Sequence, residues 1–121
     1  MATLVLSWPH RDLSQNGRMH WSKRARATAS YRNEAAWLAK AAGVATDPNA
    51  IITFTYYPPD LRRRDVHNVH GMMKAAIDGI ADAMGCDDRR FRCRFPDSFG
   101  DVRKNGQIII EISRLSHENA R

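Results

Sequence analysis

Cysteine is almost missing from this chain of 121 residues, which has only Cys86 and Cys93. Two thiols without a ligand spacing exclude a disulfide framework and a Cys-rich zinc site. They suit a reducing compartment, so a cytoplasmic location is expected. Long apolar runs are missing too: nothing approaches the roughly 20 residues of a membrane span. The opening stretch Met1–Trp8 has neither the basic flank nor the apolar length of a secretory signal, so no membrane partner is expected. Aromatic residues make up 8% and do not interleave with basic ones as in single-strand readers, which ranks an RNA-directed enzyme low. Acid is the remaining shortage. Thirteen Asp and Glu against nineteen Lys and Arg leave a net charge of +6. That balance favours a polyanionic partner, nucleic acid first.

What is present is ordinary globular material, 43% hydrophobic and 26% charged, with no repeat or linker. One domain over 1–112 is expected, followed by a polar tail over 113–121. Residues 3–8 read as a first strand stopped by Pro9, and Asn16-Gly17 as a turn in the polar loop that follows. Ser22 is the expected cap of a helix reaching Ala42. Its apolar positions Ala25, Ala29, Ala36, Trp37 and Ala41 keep helical spacing, and Gly43 follows. Residues 50–57 alternate, with Ile52, Phe54 and Tyr56 on one side and Thr53, Thr55 and Tyr57 on the other, a strand ended by Pro58-Pro59. Phe91, Cys93 and Phe95 alternate with Arg92 and Arg94 in a third strand with one buried and one basic face. Lys104-Asn105-Gly106 marks a hairpin turn before a last strand over 107–112, with Ile108, Ile110 and Ile112 inward. The order strand, helix, strand, helix, strand, strand predicts a two-layer α+β fold, a mixed four-stranded sheet with two main helices.

The chemistry concentrates between Arg62 and Asp88. Arg62, Arg63 and Arg64 precede Asp65, His67 and Asn68; a central helix then carries Lys74 and Asp78; Asp87 and Asp88 follow its end. At 100° per residue, Val69, Met73, Ala76, Ile77, Ile80 and Met84 form the buried stripe. Asp78 falls roughly 40° from Lys74, and His67 roughly 20°, on the face away from the core. Alone, the Lys74–Asp78 spacing is a helix pair worth about 0.3 kcal/mol, and Asp65 is a helix cap. Together, separated carboxylates, a lysine and an arginine run suit a divalent metal that meets a phosphate backbone, since Mg2+ takes one or two carboxylates plus waters and substrate oxygens. His67 and His70 have no third ligand at a zinc-like spacing and are expected to be solvated or to support other groups.

The pattern Arg-Arg-Arg-Asp-x-x-Asn, a helix with Lys-x-x-x-Asp-Gly-Ile, and Asp-Asp before a strand resembles the RusA-type Holliday junction resolvases. These are small dimeric, Mg2+-dependent endodeoxyribonucleases, often phage- or prophage-borne. The likeness extends to Asn16-Gly17-Arg18-x-His20-Trp21 and the helix after it. It implies catalytic roles for Asp65, Lys74, Asp78 and Asp88. On the hypothesis built from it, Asp65 and Asp88 hold Mg2+ directly, Asp78, Asp87 or His67 add direct or water-mediated ligands, and Lys74 stabilises charge on the phosphate. Arg62, Arg63, Arg64, Asn68, Arg89, Arg92, Arg18, Lys23 and Arg24 are expected at the DNA. The implied partners are a four-way junction and a second copy of the chain; the implied products are a 5′-phosphate and a 3′-hydroxyl. Two departures stand out. His67 occupies the place of a second metal-binding Asp, which removes a negative charge and shifts the site toward Mn2+. Three extra residues separate Asn68 from Lys74 compared with the shortest members of the family. A branched-DNA-binding protein without catalysis is the alternative.

Overall fold

The computed structural model describes residues 1–14 and 20–114. The expected Asn16-Gly17 turn, Arg18 and residues 115–121 of the tail lie outside the described residues. In chain order come β1 (Ala2–Ser7), a 3-10 turn (Arg11–Leu13), α1 (Trp21–Ala41), β2 (Ala50–Tyr57), α2 (Val66–Met84), β3 (Arg92–Arg94) and β4 (Gln107–Arg114). The four strands form one mixed sheet in the order β1-β4-β2-β3. β4 runs antiparallel to both β1 and β2, while β3 runs parallel to β2. This is the expected α+β architecture.

Period-two alternation builds the core. Leu4 pairs with Ile110 and Ile110 with Phe54; Leu6 pairs with Ile108 and Ile108 with Tyr56. These side chains and Ile52 are buried on one sheet face, against Met73, Ala76 and Ile80 of α2 and Tyr31, Ala35 and Ala39 of α1. Each such large side chain contributes about 1.5–3 kcal/mol of burial free energy. On the other face Val5 is exposed and Thr53 and Thr55 are half-buried.

α2 starts and stops where its sequence says. Asp65 caps the first turn, its Oδ1 accepting from the His67 N–H at 2.9 Å. Gly85 closes the helix in the left-handed region at φ 72°. Its buried face includes Met72, Ala75 and Ala81 beyond the expected stripe, because α2 lies against α1 as well as the sheet. At Gly79 the two helices meet without a side chain between them. A Cβ there would stand 2.2 Å from the Arg32 carbonyl oxygen.

Several expectations are corrected. His20, not Ser22, caps α1, with its Nδ1 accepting from the Ser22 N–H at 3.2 Å. The buried face of α1 is Tyr31, Ala35 and Ala39; Ala25, Ala29 and Ala41 are exposed, and Trp37 is 74% exposed. Alanines at helical spacing occur on more than one face of this helix, so spacing alone does not choose between them. The turn at Lys104-Asn105-Gly106 exists, with the Gly106 N–H donating to the Arg103 carbonyl at 2.8 Å, but it joins no hairpin. β3 is two strands away from β4 and reaches its place by a β2-α2-β3 crossover. β3 keeps only three residues. Cys93 is half-buried, and Phe95 lies outside the strand, stacked on Phe54 with ring centroids 4.9 Å apart. β4 continues to Arg114, two residues beyond the expected boundary at 112.

Candidate functional site

The middle of α2 and the loop before β3 converge on one ammonium group. Lys74 Nζ contacts Asp78 Oδ1 at 3.0 Å, one turn along the helix, and also pairs with Asp88 Oδ2, fourteen residues away in sequence. The crossover brings these two acids together, because it carries the chain back along α2 toward the start of β3. The hydrogen bond from Lys74 holds the Asp88 carboxyl below its usual range, and the bonds to Asp88 and Asp78 raise the lysine in turn.

α1 adds a second cation. Arg32 grips Asp82 with two bonds, Nε to Oδ2 at 2.6 Å and Nη2 to Oδ1 at 2.8 Å, and stands 4.0 Å from Asp78. This forked pair lowers the Asp82 carboxyl and raises the guanidinium. Two cations, Lys74 and Arg32, therefore face three carboxylates, Asp78, Asp82 and Asp88, one negative charge in excess. Asp87 is exposed alongside, its Oδ1 accepting from the Arg89 N–H at 2.8 Å. Sequence reading missed Arg32 as a member of this group. The signal available was Asp82, one turn after Asp78 on the same side of α2.

Asp65 sits elsewhere. It caps α2 nine residues before Lys74, about 13 Å of helix rise at 1.5 Å per residue, and no contact joins it to Asp88 among the described residues. Its surroundings are His67 and His70, whose rings meet edge-on at 5.3 Å. Of the two roles expected for His70, solvated or supporting another group, the second is found. The ring is half-buried, packs on Phe95 at 4.8 Å, and its Nδ1 pairs with the Tyr56 hydroxyl at 2.8 Å. Burial, then the neighbouring His67, lowers its pKa, which keeps the imidazole neutral near pH 7. Asn68 faces the loop after β1, accepting from the Ser14 hydroxyl at 3.1 Å.

The basic residues divide into two sets. Arg62, Arg63, Arg89, Arg92 and Lys23 are exposed. Arg64 and Arg24 are engaged within the fold. Arg64 pairs with Asp60 at 2.8 Å and lies over the Trp8 ring at 5.5 Å, while Arg24 Nη2 donates to the Ser14 carbonyl at 3.0 Å.

The donor set is the test of a divalent ion. Among the described residues no three His, Cys, Asp or Glu side chains gather as a metal-holding group, so the site is no all-protein cage. Hard carboxylate oxygens with one charge in excess do fit an ion that keeps most of its waters and takes one or two carboxylates. Among the described residues, no helix is long and apolar enough to cross a membrane.

No family model matches the chain. An uncharacterized protein of Xylella fastidiosa (strain Temecula1 / ATCC 700964) is 36% identical over 123 residues, an alignment covering 98% of this chain and 80% of the relative. At that identity and coverage the chain belongs to the same family as the Xylella fastidiosa protein.

Proposed function

We propose that the chain is a RusA-type endodeoxyribonuclease, selective for Holliday junctions or other branched DNA, that hydrolyses a phosphodiester with the help of Mg2+ or Mn2+. The observation that carries this reading is the meeting of Lys74 with Asp78 and Asp88, residues from opposite ends of the crossover. The sequence resemblance across Arg62–Asp88 supports it. Asp88 and Asp78 would hold the ion, with Asp87 within the same loop; Asp65, the cap of α2, stands apart from this group. A bound ion supplies Lewis acidity and a water of lowered pKa. Lys74, 63% exposed at its side chain, is the residue free to turn from its carboxylates to a phosphate oxygen and to stabilise the charge that develops there. Arg32 fixes Asp82 and so keeps the remaining charge of the cluster in place. Arg62, Arg63, Arg89, Arg92 and Lys23 would meet backbone phosphates. A C2 homodimer would present two such sites to the two-fold symmetry of a junction, in the cytoplasm.

The test is a labelled four-way junction incubated with purified protein, with and without Mg2+ and Mn2+. Cleavage is expected only with the ion. Asp88→Asn should abolish nicking while gel-shift binding is kept or tightened, because one repelling charge is gone. Cutting by Asp88→Asn at the parental rate would refute the assignment. A second reading, a branched-DNA binder without catalysis, is favoured by His67, which stands where the resemblance has a second metal-binding Asp. That protein would bind the junction and cut with neither ion, and His67→Asp would switch cleavage on.

A further inference from the structure

A cavity of about 650 Å³ lies on the flank of α1 away from α2, between that helix, the end of β1 and the 3-10 turn. Lys23 on its rim is roughly 180° around the helix from Arg32, so the cavity is separate from the Lys74 cluster. Its size is within the roughly 300–1,000 Å³ of small-molecule sites. Its chemistry is uneven. Arg11, Lys23 and Arg26 line it and are exposed, and none makes an ion pair among the described residues. Three like charges around one hollow repel one another, and an anion placed among them relieves that repulsion.

The inner wall is different. Glu34 receives the Ser7 N–H on Oε2 and the Ser7 hydroxyl on Oε1, both at 2.7 Å, and among the described residues it pairs with no cation. Each oxygen keeps a second lone pair for a ligand's N–H or O–H. Half-buried Trp8 also lines this space, with Arg64 over one face of its ring at 5.5 Å. At the rim His10 Nδ1 accepts from the Asp12 N–H at 3.0 Å, so the imidazole does not neutralise Asp12, and the three cations of the lining outnumber its two carboxylates, Asp12 and Glu34, by one. A cationic rim, an acceptor-only carboxylate and an indole together suit a ligand with an anionic end, a donor-bearing middle and a flat apolar end.

We propose that this cavity binds a nucleoside monophosphate, with the phosphate among Arg11, Lys23 and Arg26, the sugar or base donors on Glu34, and the base against Trp8. The site goes beyond the nuclease reading: it shares Lys23 with the DNA contacts proposed above, while Arg11, Arg26, Glu34 and Trp8 have no part in that reading. The nucleotide can be free or can be the phosphorylated end of a strand.

Calorimetric titration with dAMP, dTMP and inorganic phosphate tests this. A nucleotide Kd of about 1 mM or tighter is expected. Arg11→Ala/Arg26→Ala should weaken it at least about tenfold, and Lys23→Glu by a similar factor, while Lys74→Ala leaves it within about twofold. All three substituted cavity residues are exposed, and a melting curve on each variant checks that it folds. A 5′-phosphorylated oligo-dT run beside dTMP separates the sources: tighter binding of the oligonucleotide supports a strand end, and equal binding supports free nucleotide. No heat up to about 10 mM nucleotide, equal binding of inorganic phosphate and dAMP, or unchanged affinity in both cavity variants would overturn the proposal.

Discussion

Gly79→Ala should destabilise the protein even though alanine is the better helix former. The new Cβ would stand 2.2 Å from the Arg32 carbonyl oxygen, 3.0 Å from the Ala35 Cβ and 3.1 Å from the Ala36 nitrogen. Two of these are backbone atoms inside α1, so no side-chain rotation relieves the clash and the helices must part by roughly 1 Å. Overpacking of this kind costs about 1–3 kcal/mol. The helix preference for alanine over glycine returns about 1 kcal/mol. Because the clash is with fixed backbone, the cost falls at the upper end of that range and the net loss is about 2 kcal/mol, which at about 4 °C per kcal/mol for a domain of this size lowers Tm by about 8 °C. Thermal unfolding followed by circular dichroism measures it. The same separation draws Arg32 away from Asp82, so the Arg32→Ala penalty should be smaller in the Gly79→Ala background. A Gly79→Ala protein that melts at or above the parental temperature would show that α1 and α2 are not in close contact at this point.

Further expectations concern charge. Asp65→Asn keeps an acceptor for the His67 N–H and should melt as the parent does, whereas Asp65→Ala should lose about 1 kcal/mol from the missing cap, read as a lower Tm. The Arg62→Ala/Arg63→Ala double variant should weaken junction binding and flatten its log-log salt dependence by about two units, whereas Arg64→Ala, which loses Asp60 and Trp8, should register as a lower Tm. Asp82 and Asp88 have depressed carboxyl pKa values in the fold, so the unfolded chain binds the extra protons. Their contribution is complete above the ordinary carboxylate value of about 4 and is lost as pH falls through the folded values. The Tm gap between parent and Asp82→Asn should therefore be present at pH 7 and narrow at about pH 3; a constant gap would contradict the ion-pair account.

Much of the fold was legible because its signals were redundant. Ile52, Phe54 and Tyr56 alternate across β2, and Asp65 and Gly85 bracket a helix with an apolar stripe, so local propensity and burial agree. The face of α1 was not legible. An alanine-rich helix has weak amphipathic contrast, and only the sheet and α2 select Tyr31, Ala35 and Ala39 over the row containing Trp37. The hairpin failed because a turn motif specifies local backbone and says nothing about which strand lies alongside. At the site, Lys74 and Asp78 were readable from their spacing of four. Asp88 reaches them only through tertiary folding, and Arg32 comes from a different helix. The internal engagement of Arg24 and Arg64 has no local sequence mark that separates it from an exposed role.

Lys74 fastens the loop that carries Asp88, and that loop leads directly into an edge strand of three residues. A strand so short has few ladder bonds of its own, so its position leans on this ionic latch. An anion that recruits the lysine unlatches Asp88 at the same moment. Occupancy at the middle of α2 is thereby coupled to the looseness of the sheet's open edge, and protection of the Arg92–Arg94 amides from hydrogen exchange becomes a gauge of what Lys74 is holding.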